Sequence, residues 1–137
     1  MSDRYSALEE WVEKWQIKDG YKSGDLPYSP GNGSVGLGWL PLLDKLAKEL
    51  VDLGWNRTLD QVKEKFGGLR FYIGINLDIT SDVDSKIHEC IYAAEQESYT
   101  TCEDCGAPGS PRKSSWIRTL CDACNDSRYI NSPWHNV

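Results

Sequence analysis

The sequence predicts an α+β fold: a helical N-terminal half, a β-hairpin, a long helix and a small C-terminal four-cysteine unit. Three observations predict it. Apolar residues recur at helical spacing in three stretches, through Leu8-Trp11-Val12-Trp15, Leu42-Leu43-Leu46-Leu50-Leu53 and Val83-Ile87-Ile91-Ala94. Between the second and third stretches, Leu69, Phe71, Ile73 and Ile75 alternate with Arg70, Tyr72, Gly74 and Asn76, the period of a half-buried strand. Near the C-terminus, Cys102-Glu103-Asp104-Cys105 and Cys121-Asp122-Ala123-Cys124 form two C-x-x-C pairs with fifteen residues between them. The expected organisation is an α+β body over residues 1–100, a ribbon-like unit over 101–126 and a tail over 127–137.

Each element has a local reason. The first helix, expected over 6–18, opens on a Ser6-x-x-Glu9 capping box and ends near Gly20. Gly20 to Gly38 is rich in Gly, Pro and Ser and reads as a long loop. Its Gly31-Asn32-Gly33-Ser34-Val35-Gly36-Leu37-Gly38 run lacks a preceding strand and a Gly-Lys-Ser/Thr ending, so it reads as a connector rather than a phosphate loop. The second helix, 41–53, starts with Pro41 and stops at Gly54. The hairpin spans 58–76, with Gly67-Gly68 as its turn. Val62 and Phe66 are expected on one face of its first strand. Glu64 falls on the Val62 side as an inward charge that needs a partner. The third helix, 81–99, is capped by Thr80 or Ser81, with Asp82 and Asp84 complementing its N-terminal dipole.

The cysteines carry the most specific chemistry. Two C-x-x-C turns facing each other supply four thiolates in a tetrahedron, the arrangement zinc prefers, with Zn–S bonds of about 2.3 Å. Cys102, Cys105, Cys121 and Cys124 are therefore expected to hold one structural zinc. Disulfides suit a secreted chain, but the N-terminal segment MSDRYSALEE has no apolar signal region, and Cys90 would be left over. A thioredoxin-type site and an iron–sulfur centre call for other contexts and spacings. Four thiolates leave no open position for water, which argues against a catalytic zinc. Cys90 is expected in the buried face of the third helix.

Charge narrows the partners. The chain of 137 residues has a formal net charge of −6 at pH 7, unevenly placed. Residues 81–100 hold five acidic side chains and one basic, while residues 55–80 are slightly basic. Such a balance does not favour non-specific nucleic-acid binding. No stretch approaches the eighteen or so apolar residues of a membrane span, so a cytoplasmic protein is expected. On the hairpin, Lys63 and Lys65 share a face with Arg70 and Tyr72. Arg112, Lys113, Trp116 and Arg118 lie between the knuckles. These eight residues are either a solvated surface or a cationic, aromatic-flanked face for nucleic acid, a nucleotide or an acidic protein.

Longer segments carry a resemblance. Gly38-Trp39-Leu40-Pro41-Leu42-Leu43, then Gln61 to Tyr72 (Q-V-K-E-K-F-G-G-L-R-F-Y), then Thr101 to Gly109 and Trp116 to Cys124, resemble a group of small uncharacterised proteins of bacteria, phages and prophages. The resemblance covers roughly residues 36–125. It implies a zinc-ribbon-like C-terminus and makes a host-directed interaction the natural expectation; it transfers no activity.

The usual catalytic inventories are absent. No histidine lies between Trp55 and Ile87, where a hairpin–helix metal nuclease needs its base, and His88 and Cys90 point apart on a helix. The expectation is a non-catalytic, zinc-stabilised interaction protein with a protein partner, a phage- or prophage-encoded modulator or inhibitor of a host protein. The alternative is a nucleic-acid or nucleotide-binding module built on the hairpin and ribbon cations.

Overall fold

The computed structural model describes residues 4–19, 35–74, 78–113 and 117–130, without the side chains of 4–6, 19 and 128–130. The fold is α+β. Helix α1 (Arg4–Lys14) leads into a short strand β1 (Lys18–Asp19). A single 3-10 turn (Leu37–Trp39) opens α2 (Leu40–Leu53), and the hairpin β2 (Thr58–Lys65) and β3 (Gly68–Ile73) follows. Helix α3 (Ser81–Ser98) then precedes β4 (Ser110–Arg112), β5 (Arg118–Leu120) and α4 (Asp122–Ile130). The first sheet has the order β1-β2-β3, and β4 pairs antiparallel with β5 in a second.

Helix α1 stops earlier than its apolar spacing implies. Gln16 takes a left-handed φ of 53°, its N–H bonds to Glu13 O at 3.1 Å, and the Ile17 N–H bonds to Val12 O at 3.0 Å. Those two bonds are a Schellman ending, built on glutamine instead of the usual glycine. It frees Lys18 and Asp19 to pair in parallel with Thr58 and Leu59. The helix is already formed at Arg4, so Ser6 lies inside it and not at its cap. Helix α2 starts one residue before Pro41 and ends at Gly54, whose φ of 107° suits only glycine comfortably. At α3, Thr80 caps by accepting from Val83 N at 3.2 Å.

The hairpin turn falls on Phe66-Gly67, with φ of 55° and 83°, and Gly68 pairs with Lys65 inside the ladder. Two positive φ values make a type I′ turn, whose twist matches that of the strands. The turn lifts Phe66 off the expected inward face and leaves it 64% exposed. A bulge between Leu59 and Gln61 lets Leu59 and Val62 both reach the core, three positions apart where strict alternation would separate them.

The core gathers around Trp39, Leu43, Leu46, Leu50, Leu59, Leu69 and Ile87, all at most 1% exposed. Phe71 packs edge-on to Trp11 at 6.2 Å between centroids and against Trp55 at 6.0 Å. This aromatic trio joins α1, the α2–β2 connection and β3. Cys90 is half-buried beside the core. Where only a tail was expected, residues 127–130 continue helix α4. Gly20 to Ser34, Ile75, Asn76 and His135 lie outside the described residues. Among those described, no helix is long and apolar enough to cross a membrane.

Two substitutions test this packing. Phe71→Ala removes the shared partner of two tryptophans and should cost about 3–5 kcal/mol in urea unfolding. Phe66→Asn relieves an exposed residue held at positive φ and should raise stability by roughly 0.5 kcal/mol; an unchanged or lower midpoint would show that Phe66 is stabilising in its turn.

Candidate metal centre

The first knuckle is a tight turn. Cys102 N–H bonds to Ala107 O at 2.7 Å, Gly106 N–H bonds to Cys102 O at 2.9 Å, and Gly106 sits at φ 86°. The second knuckle is the junction of β5 and α4. Cys121 stands at the N-cap position, and its Sγ accepts from Cys124 N at 3.4 Å, the bond a capping serine or aspartate oxygen would take. This explains the C-x-x-C spacing here: one cysteine caps a helix and the other occupies its first turn.

Together the knuckles bring the four Sγ atoms within 4.8 Å of one another. Cys105 Sγ and Cys121 Sγ are 3.6 Å apart, close to the roughly 3.8 Å edge of a tetrahedron with bonds of about 2.3 Å. That distance is far longer than the disulfide bond of about 2.05 Å, and all four cysteines are free thiols. The electrostatics agree with a cation site. At Cys102 burial opposes ionisation, but the backbone N–H groups of Cys121, Cys105 and Asp104 win and bring the thiol down to about 7. Cys124 is pushed up by burial and by the crowding of Cys121, Cys105 and Cys102. Four thiols this close cannot all ionise without a positive ion between them.

The first knuckle is clasped by the body. Gly38 N–H bonds to Glu103 O at 2.8 Å, Gly36 N–H bonds to Glu103 Oε2 at 3.0 Å, and Trp39 Nε1–H bonds to Thr101 O at 2.8 Å. A Cβ at Gly36 would meet the Glu103 backbone, and one at Gly38 would meet the backbone of Cys102, Cys105 and Gly106. The glycine-rich run therefore ends in a clasp, Val35 to Gly38, rather than a plain connector.

Glu103 is completely buried. Its Oε1 accepts from Arg118 Nη1 at 2.8 Å, and the same guanidinium lies 3.8 Å from Glu64 Oε1. Burial pushes the Glu103 carboxyl above its ordinary value, against the pull of Arg118, and the neighbouring Glu64 adds to the push. Glu64 is the inward charge of the hairpin, and it also accepts from Gly67 N at 2.9 Å. Thr119 completes the seam: its Oγ1–H bonds to Gly67 O at 2.6 Å and its carbonyl accepts from Glu103 N at 2.9 Å. The sequence reading missed Gly36, Gly38, Glu103 and Thr119. The only signal for the first three was the G-x-G-W and C-E-D-C segments, which bear no periodic relation to each other.

The eight candidate binding-face residues separate into groups. Ladder register places Lys63, Lys65, Arg70 and Tyr72 on one hairpin face, with Lys63 directly opposite Arg70. Arg70 is held by Glu95 of α3 at 2.6 Å. Arg112 donates to Leu120 O and pairs with Asp122 at 2.7 Å. Arg118 belongs to the buried cluster. Lys63 is half-buried, Lys65 and Lys113 are exposed, and Trp116 lies outside the described residues. Three of the arginines thus serve the fold's own acids and carbonyls. His88 faces Asp84 at 3.5 Å as an exposed helix pair.

Gly38→Ala and Glu103→Ala attack the clasp from its two sides. Each should lower stability by about 3 kcal/mol, by forced overpacking in the first case and by leaving buried groups unmatched in the second. Loaded with zinc, both proteins should also release the ion to a chelator faster than the zinc-loaded parent does. Parent-like unfolding and release would mean that the knuckle does not need the clasp. No family model matches this chain, and neither a curated protein nor a solved structure matches it.

Proposed function

We propose that this chain is a non-catalytic interaction protein, stapled by one zinc ion on Cys102, Cys105, Cys121 and Cys124. The support for zinc is the donor set: four sulfurs at tetrahedral spacing suit zinc better than harder or larger cations. The support for a structural role is closure. Four protein ligands fill the tetrahedron, and a substrate or water has no place to bind. The observation that carries the reading is the clasp, because a knuckle locked to the body through Glu103 O and Oε2, and to β5 through Glu103 N and Oε1, is built to hold shape.

The partner we propose is a protein, and, on the resemblance to phage and prophage proteins, a protein of a bacterial host. The outer face of α3 supports this with Glu89 exposed one turn from Tyr92, itself 63% exposed. A nucleic-acid reading is weakened because Arg70, Arg112 and Arg118 are already engaged by Glu95, Asp122 and Glu103. Backbone contacts along DNA or RNA need cations whose charge is not already matched.

Elemental analysis of the purified protein should give about one zinc per chain, and a chelator should lower its melting temperature. Affinity purification from a bacterial lysate, run with and without nuclease, should retain a stoichiometric protein in both cases. Loss of every partner after nuclease would overturn the protein-partner reading in favour of a nucleic-acid binder.

A further inference from the structure

Strand β3 is the outer strand of its sheet among the described residues. The two-residue turn closes on the hydrogen-bonded pair Lys65–Gly68, so ladder parity turns the N–H and C=O of Leu69, Phe71 and Ile73 away from β2. At the first of these, α3 covers the edge. Ser98 Oγ accepts from Leu69 N at 2.9 Å, and the Tyr99 ring lies so close to Gly68 that a Cβ there would strike it. Further along, the helix and the strand separate. At Phe71 and Ile73 no partner meets the outward backbone groups among the described residues.

A groove of about 440 Å³ opens between them. Two features show what shape of ligand it takes. Its strand wall is four consecutive residues, Arg70 to Ile73, so both side-chain parities line it and the groove runs along the backbone edge itself. Its helix wall is His88, Ile91, Tyr92 and Glu95, one stripe at i, i+3, i+4 and i+7. The buried positions Ile87, Ala94 and Ser98 form a different stripe, so the helix presents one face to the core and another along the strand. Tyr72 and Tyr92 stand at the rim, 47% and 63% exposed. The Arg70–Glu95 ion pair closes one end at 2.6 Å.

We infer that this groove binds an extended segment of the partner protein by strand addition. The segment lies against β3, satisfies the outward N–H and C=O groups of Phe71 and Ile73, and places an apolar side chain on Ile91 between the two tyrosines. Outward strand backbone is met by extended backbone, which a helix does not offer. The inference rests on the reading of the chain as a protein-interaction module and names the surface and the form of its ligand.

The full-length zinc-loaded protein is used to select from a displayed library of short linear peptides. Enriched peptides should carry apolar residues at alternate positions. Binding should slow hydrogen exchange at the Phe71 and Ile73 amides, and N-methylation of the peptide should weaken it at alternate residues only. Tyr92→Glu, an exposed change expected to leave the melting temperature unaltered, should weaken binding on the order of tenfold or more. The inference is overturned if no linear peptide is enriched, if enriched peptides bind Tyr92→Glu as well as the parent, or if N-methylation has no alternating effect. A concentration-dependent dimer that Tyr92→Glu abolishes would overturn it in favour of a second copy as occupant. If Tyr92→Glu and the parent capture the same stoichiometric lysate protein equally, the groove is wrong while the interaction reading stands.

Discussion

A carboxylate with no solvent contact must be met on both oxygens, and the groups that meet Glu103 come from distant parts of the chain. Gly36 supplies one N–H from the turn before α2, and Arg118 supplies a guanidinium from β5. Arg118 in turn sits near Glu64 of β2, whose second oxygen holds the hairpin turn through Gly67 N. One buried charge thus fixes the relative placement of the metal knuckle, the clasp, the ribbon strand and the hairpin. A carboxylate left without these partners would carry the full desolvation penalty of a buried ion. Alternative arrangements of the knuckle are therefore strongly disfavoured, and the four sulfurs are presented at metal spacing by a frame that the metal alone would not create.

The frame also explains why the two halves of the molecule share residues so heavily. A small four-cysteine unit has little apolar surface of its own, and among its described residues only Cys102 and Leu120 are buried hydrophobics. It obtains order from backbone hydrogen bonds and one ion-pair cluster instead. The body contributes the apolar part, through the trio of Trp11, Trp55 and Phe71 and the leucine face of α2.

Much of this was legible in the sequence, and each part that was not was hidden for its own physical reason. Helices α2 and α3 and the hairpin have strong periodicity and ordinary caps, so local spacing located them. The four cysteines were legible because metal geometry constrains their spacing. The end of α1 was hidden because a left-handed glutamine carries no glycine signal. The hairpin turn was misplaced by one residue because Gly67-Gly68 is the better turn dipeptide, while the ladder assigns the turn to Phe66-Gly67. The clasp was hidden because its two halves lie 67 positions apart and each looks, alone, like loop. Glu64 was flagged as an inward charge, but its counter-ion belongs to another sheet. Helix α4 was missed because it has only nine residues, is polar on average and has a sulfur for its cap.

The separation of the clasp's two halves has a kinetic consequence. The bonds Trp39–Thr101 and Gly36–Glu103 span 62 and 67 positions. Closing loops of that size costs on the order of 4 kcal/mol in chain entropy, far more than closing the hairpin turn. Contact order favours early formation of the local hairpin and α3 and later closure of the clasp. The second pair of thiols also follows the whole body in chain order. Cys105 and Cys121 are only 16 positions apart, so the four sulfurs can gather locally, and it is their seating on the body that waits for the long loops to close.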